Sequence, residues 1–175
     1  MKKLSNADFK TKISVLNGLI QSRIQYLLPL YGGASDYLID CIQVKQLQIA
    51  RFECGYCSYY WSTTKLLEKC GWLSVRQQEF YATSLLAHKI VSTDVPRNLC
   101  SSIVVHHSRK IRAAANDGVI RYGENYGGKT DLTRNSFKYR AQKYYSSIPA
   151  SIKNMPLQAF KTRLKKFTAD NIPVR

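Results

Sequence analysis

The sequence predicts an all-α fold: a helical bundle of four or five helices, then a basic linker and two C-terminal helices. Three observations carry this. Apolar residues recur at spacings of three and four along several stretches, the period of a helix with one buried face. Capping residues stand before those stretches, and Gly or Pro stands behind them. No stretch carries a strand pattern.

The chain is organised around Gln21 to Gly55, which reads as helix, turn, helix. Before the turn, residues 5–28 form a helix on the stripe Phe9, Ile13, Leu16, Ile20, Ile24 and Leu27, with Ser5 as N-cap and Asp8 complementing the first turn. Pro29 and the Gly32-Gly33 pair end it. Residues 36–53 follow behind Ser35 as a second helix. Its predicted buried face is Leu38, Ile42, Ile49 and Phe52, extended by Cys41. Asp36 and Asp40 sit near its N-terminus, where the helix dipole favours acids.

Residues 54–61 form an aromatic-rich connection. Ser62 caps a short helix from Thr63 to Cys70, and Gly71 stands in the C′ place. Ser74 with Gln77 makes a capping box for a long helix from Val75 to about Ser92. Pro96 opens a short turn with Leu99 and Ile103. Residues 1–104 thus read as one helical domain, and residues 105–135 as a basic, Gly-rich linker. Residues 136–175 are a basic helical segment. Ser136 caps Phe137–Ser147, Pro149 stops it, and Pro156 opens a last helix on Leu157, Phe160, Leu164 and Phe167.

Charge is the largest compositional deviation. The 175 residues hold 27 Lys and Arg against 11 Asp and Glu, net +16. Residues 101–175 hold 15 basic and 4 acidic residues, net +11. A concentrated positive field favours a polyanion, nucleic acid before membrane. The candidate contacts are Arg109, Lys110 and Arg112 in the linker, Lys138, Arg140 and Lys143 on the next helix, and Lys161, Arg163, Lys165 and Lys166 on the last. Tyr139 stands among these cations, where an aromatic suits base stacking. No apolar run reaches the roughly 20 residues that cross a bilayer, and no signal peptide opens the chain. An intracellular protein, in nucleus or cytoplasm, is expected. Five Cys, an odd number, fit reduced thiols.

Little points to chemistry. Cys54-x-x-Cys57 lacks the second tight ligand pair of a structural zinc site, so it reads as thiols. Two-metal polymerase chemistry needs converging carboxylates, and the chain has no adjacent Asp-Asp. GENYGGKT, Gly123 to Thr130, matches the P-loop spacing without its strand and helix. His106-His107 read as exposed linker residues. No cofactor, bound metal or small-molecule substrate is predicted.

Ser22-Arg23, Tyr26, Pro29-Leu30-Tyr31-Gly32-Gly33-Ala34, Gln43-Val44, Gln46 and Arg51 resemble one segment of a known family. It follows the catalytic palm in reverse transcriptases of non-LTR retrotransposons, the jockey-like LINE elements. Leu66-Leu67 with Gly71-Trp72-Leu73-Ser74-Val75 resembles the family's next block. Ser136-Phe137, Ala141, Ile148-Pro149, Phe160-Lys161 and Leu164-Lys165 resemble its C-terminal region. Where the family usually has Trp-Asn-x-Leu-Pro, this chain has Tyr145-Ser146-Ser147-Ile148-Pro149. The family's Tyr/Phe-Ala-Asp-Asp is not in the sequence.

The resemblance implies a thumb and post-thumb region that lies against an RNA or RNA/DNA template–primer duplex, without polymerase activity of its own. It also implies a catalytic palm as partner. Leu27, Leu28, Leu30 and Tyr31 flank Pro29 in an unusually apolar turn, expected to be an only partly covered surface that meets that palm. The alternative is a stand-alone helical interaction module that binds a protein through the same turn.

Overall fold

A computed structural model describes residues 8–55, 60–93 and 130–174. The fold is all-α, and every regular element among the described residues is helical. The turn at Pro96 lies outside them. So does most of the linker, with His106, His107, Arg109, Lys110, Arg112 and the P-loop-like run up to Lys129, and so does Cys57.

The predicted first helix is divided. α1 (Phe9–Leu16) starts at Asp8, whose carboxylate accepts from the Lys10 N–H at 3.2 Å. A π turn (Asn17–Gln21) then widens the helix around Gly18, and α2 (Ser22–Gln25) completes it. The inserted residue shifts the register, as π-bulges do. Leu19 is left exposed, and Gln21 faces the interior. Tyr26 leaves the helix in extended conformation, and Leu27 takes a left-handed φ of 53°. A left-handed leucine costs about 1–2 kcal/mol. It lets the chain re-enter a single helical turn, α3 (Leu28–Tyr31), with Pro29 in its first turn.

α4 (Asp36–Cys54) buries Ile39, Gln43, Gln46, Ala50 and Glu53. This corrects the predicted face: Leu38 and Phe52 are exposed, and so is Cys41. The glutamines go inside because they have backbone partners. Gln43 accepts from the Val75 N–H at 2.7 Å, and Gln46 donates to the Leu73 carbonyl at 3.0 Å. They tie α4 to the segment Leu73–Val75, whose buried backbone groups need partners.

α5 (Thr63–Cys70) and α6 (Val75–Thr93) start as predicted. The Ser62 hydroxyl accepts from the Lys65 N–H, and Gly71 closes α5 at φ 67°. Ser74 and Gln77 exchange the two hydrogen bonds of a capping box. α6, and not the stretch from Gln21 to Gly55, is the axis of the molecule. Ten of its 19 residues are buried, and α2, α3 and α4 all pack against it.

α7 (Asp131–Asn135) is a short helix at the end of the predicted linker. α8 (Phe137–Ser147) is capped by Ser136, α9 (Ala150–Lys153) follows Pro149, and α10 (Leu157–Asn171) follows Pro156. α8 and α10 share their core with α6. Phe80, Ala87 and Ile90 meet Ala141, Tyr145 and Ile148, and Phe160 and Leu164 close the cluster. Fully burying a side chain of that size contributes about 1.5–3 kcal/mol. The break expected between residues 104 and 136 is therefore not a break in the core.

Candidate nucleic-acid interface

α10 sets the geometry of the basic surface. Phe160, Leu164 and Thr168 are buried against α6, so the helix turns its remaining faces outward. Lys161, Thr162, Lys165, Lys166 and Ala169 line one outward face. Leu73 and Tyr81 of the bundle form the opposite wall of a shallow groove of about 420 Å³. Through Leu73, Tyr81 and Lys165 this groove runs into a deeper cavity of about 650 Å³ between α2, α6 and the Trp72 segment. Lys89 lines the cavity as well. Among the described residues no acidic one lines either recess. Tyr81 is half-buried in the wall, and burial raises its phenol pKa, so it stays neutral. A neutral aromatic among lysines offers a partly exposed ring face between cations.

The predicted contacts divide. Lys161, Lys165 and Lys166 are brought together on the groove. Arg163 is exposed but does not line it. Lys138 and Lys143 are exposed on α8. Lys143 borders a separate recess of about 390 Å³, with Asp36, Arg76, Arg134, Tyr139 and Tyr144. Arg140 is a correction. It is only 5% exposed, and its guanidinium is consumed inside the fold. It pairs with the buried Glu79, and its Nη2 donates to the carbonyls of Pro29 at 2.7 Å and Leu30 at 3.2 Å. Burying a cation is tolerable only with such partners, and they leave nothing for a phosphate. Burial also pushes the neighbouring Tyr144 phenol upward, and Glu79 adds to the shift.

The apolar turn is also corrected in part. Leu28 is 0% exposed and packs with Ile39 and Val75. Tyr31 is half-buried, and its hydroxyl donates to the Ile24 carbonyl. Leu27 and Leu30 remain half or more exposed. The left-handed Leu27 turns Leu28 inward and leaves its neighbours outside.

Tyr81 and Lys89 were not among the expected contacts. They stand eight residues apart on α6, with Leu85 between them, the spacing of one helical face. That signal was legible, but nothing in the sequence says that α10 packs beside it. Among the described residues no three metal-ligating side chains converge. Cys54 and Cys70 bring their Sγ atoms to 3.8 Å. Burial, with Cys54 and Glu53 nearby, pushes the Cys70 thiol up to about 12, which keeps it protonated. No helix among the described residues is long and apolar enough to cross a membrane.

Comparison with protein-family models, curated proteins and solved structures finds no match for this chain.

Proposed function

We propose that this chain is the thumb and post-thumb region of a reverse transcriptase of the non-LTR retrotransposon kind, holding a nucleic-acid strand or duplex in the groove beside α10. The carrying observation is the convergence of Lys161, Lys165 and Lys166 opposite Tyr81, on a wall without acids. Phosphate contacts of that type give affinity without sequence preference. The chain does no polymerase chemistry by itself, because its sequence supplies no carboxylate pair for two metal ions. Primer extension on an RNA template with Mg²⁺ is expected to show no incorporation by the purified chain.

The binding test is fluorescence anisotropy on an RNA/DNA duplex from low to moderate salt. Each neutralised phosphate contributes about 0.7–0.9 to the slope of log K against log salt. Changing Lys161, Lys165 and Lys166 together to Gln flattens that slope by about two to three. Arg163→Gln, off the groove, leaves it nearly unchanged. Equal slopes in wild type and the triple variant would remove the groove from the binding surface.

A second reading has its own observation. Leu27 and Leu30 are half or more exposed beside the equally exposed Tyr26. In the reading above they meet the catalytic palm; in the other, the same residues dock a protein partner of a stand-alone helical module. Failure to bind nucleic acid at low salt would favour the second.

A further inference from the structure

The cavity at the end of the groove has a floor that the fold leaves unfinished. Gln21 and Gln78 line it, and they are only 3% and 5% exposed. Gln78 Nε2 donates to Gln21 Oε1 at 3.2 Å and to the Leu73 carbonyl at 2.7 Å. That leaves Gln21 Nε2 and Gln78 Oε1 buried with no hydrogen-bond partner among the described residues. A buried amide group without a partner costs about 1–3 kcal/mol, which a water or a ligand reaching the two groups from the cavity would relieve. They are one free donor and one free acceptor, with no charge.

We propose that this cavity receives a single nucleobase, unstacked from a strand whose phosphates lie along the groove lysines. The inference rests on the groove's binding nucleic acid. Every nucleobase carries a donor and an acceptor side by side on its Watson–Crick edge, the complement of the two free amide groups. The walls are largely apolar or aromatic, with Tyr81, Leu85 and Leu86 lining the space a flat ring would fill, and Asn17 and Gln25 adding polar edges. Charge stands apart from the amide floor, at Lys89 and at Lys165, which also lines the groove. An uncharged ring inside and an anionic backbone outside fit that division. At about 650 Å³ the cavity lies within the usual range of small-ligand sites. Because all the bases share the donor–acceptor edge, the pocket senses the presence of a base and discriminates weakly among bases.

The test uses the full chain and fluorescein-labelled dT12, compared with a 12-mer of the same backbone in which every base is replaced by an abasic residue. Anisotropy is read at one low salt concentration and again across a salt series. Ala82 lines the cavity one helical turn from Gln78, so Ala82→Phe fills it from the wall. Gln78→Leu removes the free acceptor. Circular dichroism melts establish that both variants fold. Losing the bases weakens binding by roughly ten-fold, the effect of one base–aromatic stack with its contacts. Ala82→Phe weakens dT12 binding about as much. It adds no further loss on the abasic strand, and it keeps the wild-type salt slope.

If the abasic strand binds as tightly as dT12, or if Ala82→Phe has no effect on dT12, the pocket is not a base site. In either case a salt slope that still responds to the three lysines leaves the groove reading standing. Uridine 5′-monophosphate that displaces dT12 at concentrations comparable with the strand's own Kd would assign the pocket to a free nucleotide and overturn the strand-borne assignment. No binding of dT12 or of the RNA/DNA duplex at low salt would remove groove and pocket together.

Discussion

Arg140 on α8 donates to Glu79 on α6 across a helix crossing where the two side chains are 6% and 2% exposed. Tyr144 donates to the same carboxylate at 3.0 Å, and Arg76 approaches its other oxygen at 3.7 Å. Arg140 also holds the carbonyls of Pro29, Leu30 and Asn135. One planar guanidinium thus joins α3, α6 and the end of α7 to its own helix, α8. Removing one partner of a buried pair leaves the other charge uncompensated, at a cost of about 3–5 kcal/mol. Arg140→Ala is expected to lose that much in urea unfolding. Arg140→Lys is expected to recover only a minor part, because an ammonium cannot span the fork of acceptors. A loss below about 1 kcal/mol for the Ala change would contradict the buried pair.

The Gly32-Gly33 pair leaves room for the Arg140–Glu79 pair and the backbone around it, and a Cβ on Gly32 would collide with the Glu79 side chain. A Cβ on Gly32 would lie 2.7 Å from the Leu28 carbonyl oxygen and 3.1 Å from Arg140 Nη1. On Gly33 it would lie 3.0 Å from Arg140 Nε, and it would collide with the Asn135 carbonyl. Gly33→Ala is expected to destabilise by about 1–3 kcal/mol, the usual cost of overpacking. Gly18 is the contrast, helical with nothing within 4 Å of an added Cβ. Gly18→Ala is expected to stabilise by about 0.5–1 kcal/mol. Thermal melts of both single variants check the opposite signs.

Leu28 and Leu30 are two residues apart and have opposite roles. Leu28→Lys buries an ammonium among Ile39 and Val75 and is expected to unfold the chain or cost well over about 3 kcal/mol. Leu30→Lys changes stability by less than about 0.5 kcal/mol, and it reduces any self-association through the Leu27/Leu30 surface. Denaturation with sedimentation velocity separates the two effects. Equal destabilisation by both changes would contradict the division.

His88 is 4% exposed, stacks on Phe160 with ring centroids 3.8 Å apart, and bonds the Tyr145 hydroxyl at 3.2 Å. Burial lowers its pKa below the ordinary imidazole value of 6.5. The unfolded chain therefore binds the proton more readily than the folded one. The contribution of neutral His88 is complete above pH 6.5 and is lost as the pH falls through 6.5 toward the folded value. His88→Gln is expected to flatten the stability profile between pH 7 and the folded value, measured by urea midpoints at several pH values. An unchanged profile would mean that His88 titrates freely.

The all-α class, the caps at Ser62, Ser74 and Ser136, and the stops at Gly71 and Pro149 were legible because each is a local matter of period or backbone geometry. The face of α4 was not. Its interior is lined with Gln43, Gln46 and Glu53, and hydropathy assigns such residues to solvent. Gln43 and Gln46 are inside because their amides serve the backbone at Val75 and Leu73, more than 25 residues away. Arg140 was misassigned for the same reason, since composition counts a cation but does not see Glu79. Of the groove, α10's lysines were legible from their place opposite its apolar stripe. Tyr81, Lys89 and the amide floor required knowing which helices are neighbours.

Arg140 reaches back 111 residues to the Pro29 carbonyl, and Gln77 donates across 95 residues to the carbonyl of Ile172 at 2.7 Å. A ribosome delivers the chain in one direction, at about 5–20 residues per second. For several seconds after α6 emerges, Phe80, Ala87 and Ile90 lack the partners Ala141, Tyr145, Phe160 and Leu164, which have not yet been made. The nascent protein spends that interval with one face of its central helix uncovered, although α2, α3 and α4 are already there to pack on it. The shared core of α6, α8 and α10 closes only once α10 has cleared the exit tunnel.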